Sequence, residues 1–254
     1  MEIKTSIFNC VSNALEMLKF SSESIINHAG TEDFDYIIVH WRASDEVLSY
    51  IEDLKNLYPH IVSSLKYETN PNVGFVPNLR GMMNTGFDHS YELNDYAGLV
   101  NTDMYFGKDW LINLIKFATP DTIVNSVHIT PRIQAPHVVT ADLGIPEEGK
   151  FNHELFEEIY DRCYKDKLEF EYERGGWLNT NTMPYLIHRK FWNLAGPWEL
   201  TGIRGSTPDR RFFARCHDHG AKFTMSHSSI VYHYEAVERT TQKPDWADEM
   251  YYDR

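Results

Sequence analysis

The chain has 254 residues, 42% of them apolar and 14% aromatic, enough for one sizeable α/β core. Its formal net charge of −13 argues against general nucleic-acid or anionic-membrane binding, because polyanions are met by a basic surface. Cys10, Cys163 and Cys216 suggest neither a zinc site nor a disulfide framework. With no leader-like apolar start and no bilayer-length apolar run, a cytoplasmic chain without a membrane span is the expectation.

In the first half, strand-like stretches alternate with helix-like ones, which predicts a mostly parallel sheet. Ile3 to Phe8 reads as the first strand, and Val11, Leu15, Leu18, Ser22 and Ile25 follow at helical spacing. Tyr36-Ile37-Ile38-Val39 is a buried-strand run. Val47, Leu48, Ile51 and Leu54 mark a helix that Ser44-Asp45 would cap. Ile61 to Tyr67 is a weaker strand, closed by the turn signal Asn70-Pro71-Asn72. Asn78 is placed to cap a helix carrying Leu79, Met82, Met83 and Phe87 on one side.

Tyr96 to Val100 is a strand that stops at Asn101-Thr102-Asp103. A helix from Lys108 turns Leu111, Leu114, Ile115 and Ala118 inward, and Ile123 to Val127 forms another strand. From about Gln134 to Arg174 the rhythm breaks around Pro136, Gly144, Pro146 and Gly149, leaving one amphipathic helix with Leu155, Ile159 and Cys163. This stretch reads as an insertion over one face of the sheet, a natural place for acceptor recognition. A strand over Pro184 to His188, a helix near Asp209 to His219 and a strand over Ser229 to Tyr232 complete the core. The stretch from Ala236, with Trp246, Tyr251 and Tyr252, reads as a tail or flap.

Asn101-Thr102-Asp103 lies just past the carboxyl end of a strand, where open α/β sheets bind their ligands. One carboxylate there suits Mg²⁺ or Mn²⁺, which takes few protein ligands and leaves positions open for phosphate oxygens. An aspartate after a strand is otherwise a turn or cap residue. The dense basic stretch Arg204, Arg210, Arg211 and Arg215 suits a diphosphate, an acidic acceptor or a solvated helix face. Trp177, Trp192 and Trp198 could form a carbohydrate platform or serve as core.

Order adds specificity. Asn72-Val73-Gly74-Phe75 precedes Asn78-Leu79-Arg80-Gly81 and Asn84-Thr85-Gly86, then the strand ending in Asp103, then Asp109-Trp110-Leu111. In the second half, Pro184 to Phe191 leads to Leu194-Ala195-Gly196-Pro197-Trp198-Glu199, Pro208-Asp209-Arg210-Arg211-Phe212-Phe213-Ala214-Arg215 and Val231-Tyr232-His233. This ordered set, over most of residues 1–235, resembles the family-two glycosyltransferases.

The resemblance implies an α/β fold of the GT-A type: a Rossmann-like, mostly parallel central sheet flanked by helices, with an inserted acceptor region. Residues 1–130 would be the donor nucleotide-binding half, 131–235 the acceptor and catalytic half, and 236–254 a C-terminal tail that orders over the donor. The implied substrates are a nucleotide diphosphate sugar and a hydroxyl-bearing acceptor, such as a glycan, lipid, protein or modified base, with Mn²⁺ or Mg²⁺ as cofactor.

Carried over residue by residue, Asp103 binds the metal, with His233 as a second ligand to metal or diphosphate. Asn101 replaces the usual first acid of the pair. Asp209 matches the general base of inverting members, although after Pro208 it also reads as a helix cap. Phe8, His40, Trp41, Asn78, Arg80, Asn101 and Thr102 would meet the donor, and Trp177, Trp198 and Glu199 the acceptor. Two departures stand out. His40-Trp41 occupies the place of the acids that usually hold base and ribose, and Pro208 replaces the first acid before Asp209. They keep two other readings open: a retaining transferase or nucleotidyltransferase on the same fold, and a catalytically silent sugar- or nucleotide-binding module.

Overall fold

The computed structural model describes residues 3–68, 75–131, 138–144, 149–165, 170–171, 183–199 and 208–234. Four strands open the chain: β1 (Thr5–Val11), β2 (Phe34–His40), β3 (Val62–Lys66) and β4 (Tyr96–Val100). They run parallel in the order β3-β2-β1-β4, joined by α1 (Leu15–Asn27), α2 (Asp45–Leu57) and α3 (Phe75–Leu93). Every residue of β4 is buried and β2 nearly so, the continuous apolar run of strands covered on both faces.

The second half adds β5 (Met104–Phe106), α4 (Trp110–Ile115), β6 (Thr122–Thr130), β7 (Val138–Thr140), α5 (His153–Lys165) and β8 (Phe170–Glu171). It continues with β9 (Tyr185–His188), α6 (Arg189–Ala195), α7 (Pro208–Asp218) and β10 (Lys222–His233). The sheet order is β3-β2-β1-β4-β9-β6-β10-β5, with β7 beside β6 and β8 beside β10. β9 is antiparallel to β4 and β6, whereas β10 is parallel to β6. The carboxyl ends of β1, β2, β3, β4, β6 and β10 therefore share one edge.

Expected strands and helices recur in the expected order, with instructive differences. Ser44 caps α2 as anticipated, its Oγ accepting from the Val47 N–H at 3.4 Å, with Asp45 and Glu46 in the first turn. Asn78 does not cap α3. That helix starts at Phe75, which puts Pro77 among the leading positions whose N–H has no intrahelical partner. Asn78 is buried inside the first turns, and its Oδ1 accepts from the Tyr67 hydroxyl at 3.4 Å. The short strands β5, β7 and β8 escape a pattern search.

β10 carries the main irregularity. It pairs with β6 from Lys222↔Thr122 to Ser226↔Ser126 and resumes at Ile230↔Val127, so residues 227–229 leave the ladder. Buried Asn113 of α4 fixes this bulge: its Nδ2 donates to the Ser228 carbonyl at 2.7 Å and its own carbonyl accepts from the Ser226 hydroxyl at 2.9 Å. The Ser126 and Ser229 hydroxyls meet at 2.6 Å. Beyond the bulge, β10 also pairs antiparallel with β5, His233 opposite Met104. Bulges re-aim a strand in this way.

The large core joins the sheet to its helices. A second core gathers Tyr105, Phe156, Tyr160, Tyr232 and Tyr234 around α5 and the ends of β5 and β10, so the α5 part of the expected insertion packs in an aromatic layer. The Tyr160 hydroxyl donates to the Lys108 carbonyl at 2.7 Å, and the Tyr232 hydroxyl accepts from the Leu143 N–H at 3.1 Å. Among the described residues no helix is long and apolar enough to cross a membrane.

α3 approaches β1 through Gly86, where an added Cβ would lie 2.4 Å from the Phe8 ring. Gly86→Ala should therefore lower stability by about 1–3 kcal/mol through overpacking, read as a fall in the urea midpoint with unchanged slope. Cys10 and Cys163 are half-buried and Cys216 is buried, its thiol pushed up to about 12 chiefly by burial. A thiol reagent at pH 8 should modify at most two cysteines in the native chain, Cys216 reacting only after unfolding.

Candidate active site

At the shared strand edge, the turn after β4 and the end of β10 meet. His233 Nε2 lies 3.2 Å from Asp103 Oδ2, joining residues 130 positions apart, and the Tyr234 N–H donates to the Asp103 carbonyl at 3.0 Å. Asp103 is 8% exposed, Thr102 beside it is buried and Asn101 is half-buried. The sequence anticipated this pair as cation ligands, and the geometry suits them. Ligands at right angles on an ion with bonds of about 2.1 Å lie about 3 Å apart, and a carboxylate with an imidazole is a donor set that Mn²⁺ accepts.

His128 was missed, because the expected strand stopped at Val127. It sits on β6 in register with Val231, hence on the same face as His233 two residues on. The two rings stand edge to face, centroids 5.8 Å apart. His128 is 5% exposed, and its pKa is lowered to about 3, first by burial and then by the charge of His233, against a backbone hydrogen bond to Met183. Its Nε2 has no partner among the described residues. The signal in the sequence was a histidine inside the apolar run Val127-His128-Ile129. Among the described residues, no three His, Cys, Asp or Glu side chains are assembled as a cation site.

At the ends of β1 to β3 the expectations are partly corrected. His40 is half-buried, its pKa lowered by burial and then by Lys66 and Lys55. Trp41 is only 3% exposed and belongs to the large core, with the Arg42 guanidinium 5.0 Å from its ring centre. It plugs the sheet end and offers a base no stacking face. Phe8 is fully buried, its ring T-shaped against Phe87 at 4.8 Å, so it packs α3 on β1 and meets no ligand. Two further polar residues stand at this edge: Asn13, whose Oδ1 accepts from the Ser44 N–H at 2.9 Å, and Tyr67 over α3.

On the acceptor side, Asp209 lies in the first turn of α7, inside the helix and not capping it. Its charge acts on Arg80 and on the Tyr185 hydroxyl, which places these groups together. Arg80 Nη1 donates to the Glu199 carbonyl at 3.1 Å. The Glu199 carboxylate pairs with Arg211 and, at 3.0 Å, with Arg215. Arg215 also donates to the Ala195 and Pro197 carbonyls at 2.7 and 2.9 Å. Glu199, expected at the acceptor, is thus engaged in a clamp between α7 and the turn after α6. Trp198 is corrected too: its ring is buried, and its backbone N–H and carbonyl both bond the Asn84 side chain at 2.9 Å. Trp177, Arg204 and the tail from Ala236 lie outside the described residues.

No family model matches the sequence, and no curated protein matches it. Solved structures do share its architecture. GalNAc-T7, crystallised with UDP, GalNAc and Mn²⁺, aligns with a TM-score of 0.62 at 11% identity, over 91% of this chain and 44% of its own. S. aureus TarS 1-349 aligns with a TM-score of 0.58 at 13% identity, over 92% of this chain and 61% of its own. The chain thus spans between two-fifths and two-thirds of the length of these structures. Both are GT-A glycosyltransferases, and the fold of this chain is of the GT-A type, a mostly parallel Rossmann-like sheet flanked by helices.

The paired amide bonds of Asn84 hold the Trp198 turn on α3. Asn84→Ala should cost about 1–3 kcal/mol by leaving buried backbone groups unpaired, measured as a lower thermal midpoint with the far-UV spectrum retained at 25 °C.

Proposed function

We propose that the chain is a glycosyltransferase that moves a sugar from a nucleotide diphosphate sugar to an acceptor hydroxyl, with inversion at the anomeric carbon. The observation that carries this reading is the Asp103–His233 pair, closed at 3.2 Å at the strand edge of a GT-A fold. Asp103 and His233 would hold Mn²⁺ or Mg²⁺, and the bound ion neutralises charge on the departing diphosphate. GalNAc-T7, whose structure carries UDP and Mn²⁺, makes UDP-sugars the first donors to try.

In this reading residues 1–130 bind the donor, with Asn101 and Thr102 beside the diphosphate and His40 near the base. Residues 131–235 carry acceptor binding and catalysis. Asp209 is the general base: it takes the proton of the acceptor hydroxyl as that oxygen bonds to the anomeric carbon, while the bond to the diphosphate oxygen on the opposite face breaks. Arg80, whose charge acts on Asp209, orients this carboxylate and faces the donor phosphates. The aromatic layer around Tyr105, Phe151 and Tyr232 braces the ends of β5 and β10 that carry the pair.

A thermal-shift series with nucleoside diphosphates and sugar nucleotides, with and without Mn²⁺, tests the reading. Binding should add about 2.7 kcal/mol of apparent stability at a hundredfold excess over Kd, depend on Mn²⁺ and vanish in Asp103→Ala. Asp209→Asn should keep the shift and lose about 10²–10⁴-fold in transfer rate. No shift with any nucleotide would overturn the proposal. A metal-dependent shift without transfer to any sugar, lipid or peptide hydroxyl would leave the silent binding module.

A further inference from the structure

Buried His128 carries one ring nitrogen, Nε2, that neither the described fold nor the proposed reaction uses. Leaving a buried acceptor unmatched costs about 1–3 kcal/mol, and native interiors rarely do so without a bound water or ion. The Met183 backbone bond favours the charged ring, so the Met183 carbonyl is the acceptor of a ring N–H. Because Nε2 has no partner among the described residues, that donor is Nδ1–H, and in the neutral ring Nε2 presents a bare lone pair. Imidazoles at metal sites show this arrangement, one nitrogen anchored on a backbone carbonyl and the other facing the site.

Position completes the case. His128 and His233 share a face and stand edge to face at 5.8 Å, with no hydrogen bond between them. Two polar groups joined through one water stand about 5 Å apart. Asp103 also acts electrostatically on the His128 ring, so all three groups surround one small region. They do not form a three-ligand cluster as they stand, which argues for a place one water removed from the ion.

We propose that His128 is a positioning residue of the cation site, its Nε2 accepting a hydrogen bond from the hydration shell of the ion held by Asp103 and His233. This rests on the cation reading of that pair. The β6 imidazole thus fixes the ion from the side opposite Asp103 and makes affinity depend on a residue that never touches the metal.

Mn²⁺ alone, titrated into the intact chain and followed by the loss of the free-ion EPR signal, provides the test. His128→Phe keeps a ring and removes the acceptor, and it should weaken Mn²⁺ binding about 10–100-fold. His128→Gln restores an acceptor and should recover most of that loss. Binding of Mn²⁺ by His128→Phe as tight as wild type, with Asp103→Ala binding lost, would overturn the proposal and leave the cation pair standing. Unchanged binding in Asp103→Ala would remove the cation reading itself, and this proposal with it. Should the His128 variants fail to fold, ¹⁵N NMR of wild-type histidine rings during Mg²⁺ titration decides. Nε2 of His128 should stay unprotonated and move to a hydrogen-bonded shift, whereas a static His128 signal beside a moving His233 would refute the role.

Discussion

The bulge in β10 is the constraint on which the site depends. Up to Ser226 the strand is an ordinary parallel neighbour of β6. Three residues then leave the ladder, and the strand resumes between β6 and β5 with His233 opposite Met104. Asp103 immediately precedes β5, so this register sets the imidazole against the carboxylate. A bulge of this size exposes backbone groups inside the protein, and each buried one needs a partner. Asn113 Nδ2 supplies one, to the Ser228 carbonyl, while the hydroxyls of Ser126, Ser226 and Ser229 bond around it, Ser126 to Ser229 and Ser226 to the Asn113 carbonyl. The meeting of Asp103 and His233 at the strand edge therefore rests on the Asn113 amide in α4 and on hydroxyls well inside the sheet.

A second set of bonds fixes the other half of the cleft. Asn84 on α3 grips the backbone of Trp198, Arg80 on the same helix grips the Glu199 carbonyl, and Arg215 on α7 grips the carbonyls of Ala195 and Pro197. Glu199 then joins Arg211 and Arg215. Surface ion pairs add little stability singly; here their geometry matters more, because they lock α3, the α6 turn and α7 as one body. Asp209 is carried on that body. Of the arginines that suit an anion site in the sequence, Arg210, Arg211 and Arg215 are among the described residues, and Arg211 and Arg215 serve this clamp.

The frame was legible because period and burial agree. Fully buried β4 reads as an apolar run with the same limits in sequence and structure, and Ser44 carries both the residue type and the spacing of a cap. Elements of two or three residues, β5, β7 and β8, are too short for any period to register. Sidedness was illegible as well. Phe8 ends the strand expected from sequence but lies in the middle of β1, and Trp41 follows β2; only the fold shows that Phe8 turns toward α3 and Trp41 into the core. Asp103 and His233 stand out in the sequence because each comes just after an apolar strand-like run, whereas His128 lies one residue past the expected end of β6. With 11 and 13% identity to the compared structures, what persists is the order of strand ends and polar residues, not the residues between them.

β10 is also the last strand of the described chain, and it enters the interior of the sheet, not its rim. Until it is made, β6 and β5 each present an unpaired edge, the kind of surface that invites pairing with another chain. Contacts between residue 103 and residue 233 are among the most distant in sequence, and long-range pairings form slowly. During synthesis the β1–β4 half can therefore settle first, as N-terminal segments do, while the Asp103–His233 pair waits for the end of the strand. An unfinished or nicked chain would keep much of its β1–β4 scaffold yet lack the Asp103–His233 pair altogether, so under the proposed role of that pair, occupancy by a divalent ion would report on completion of the fold.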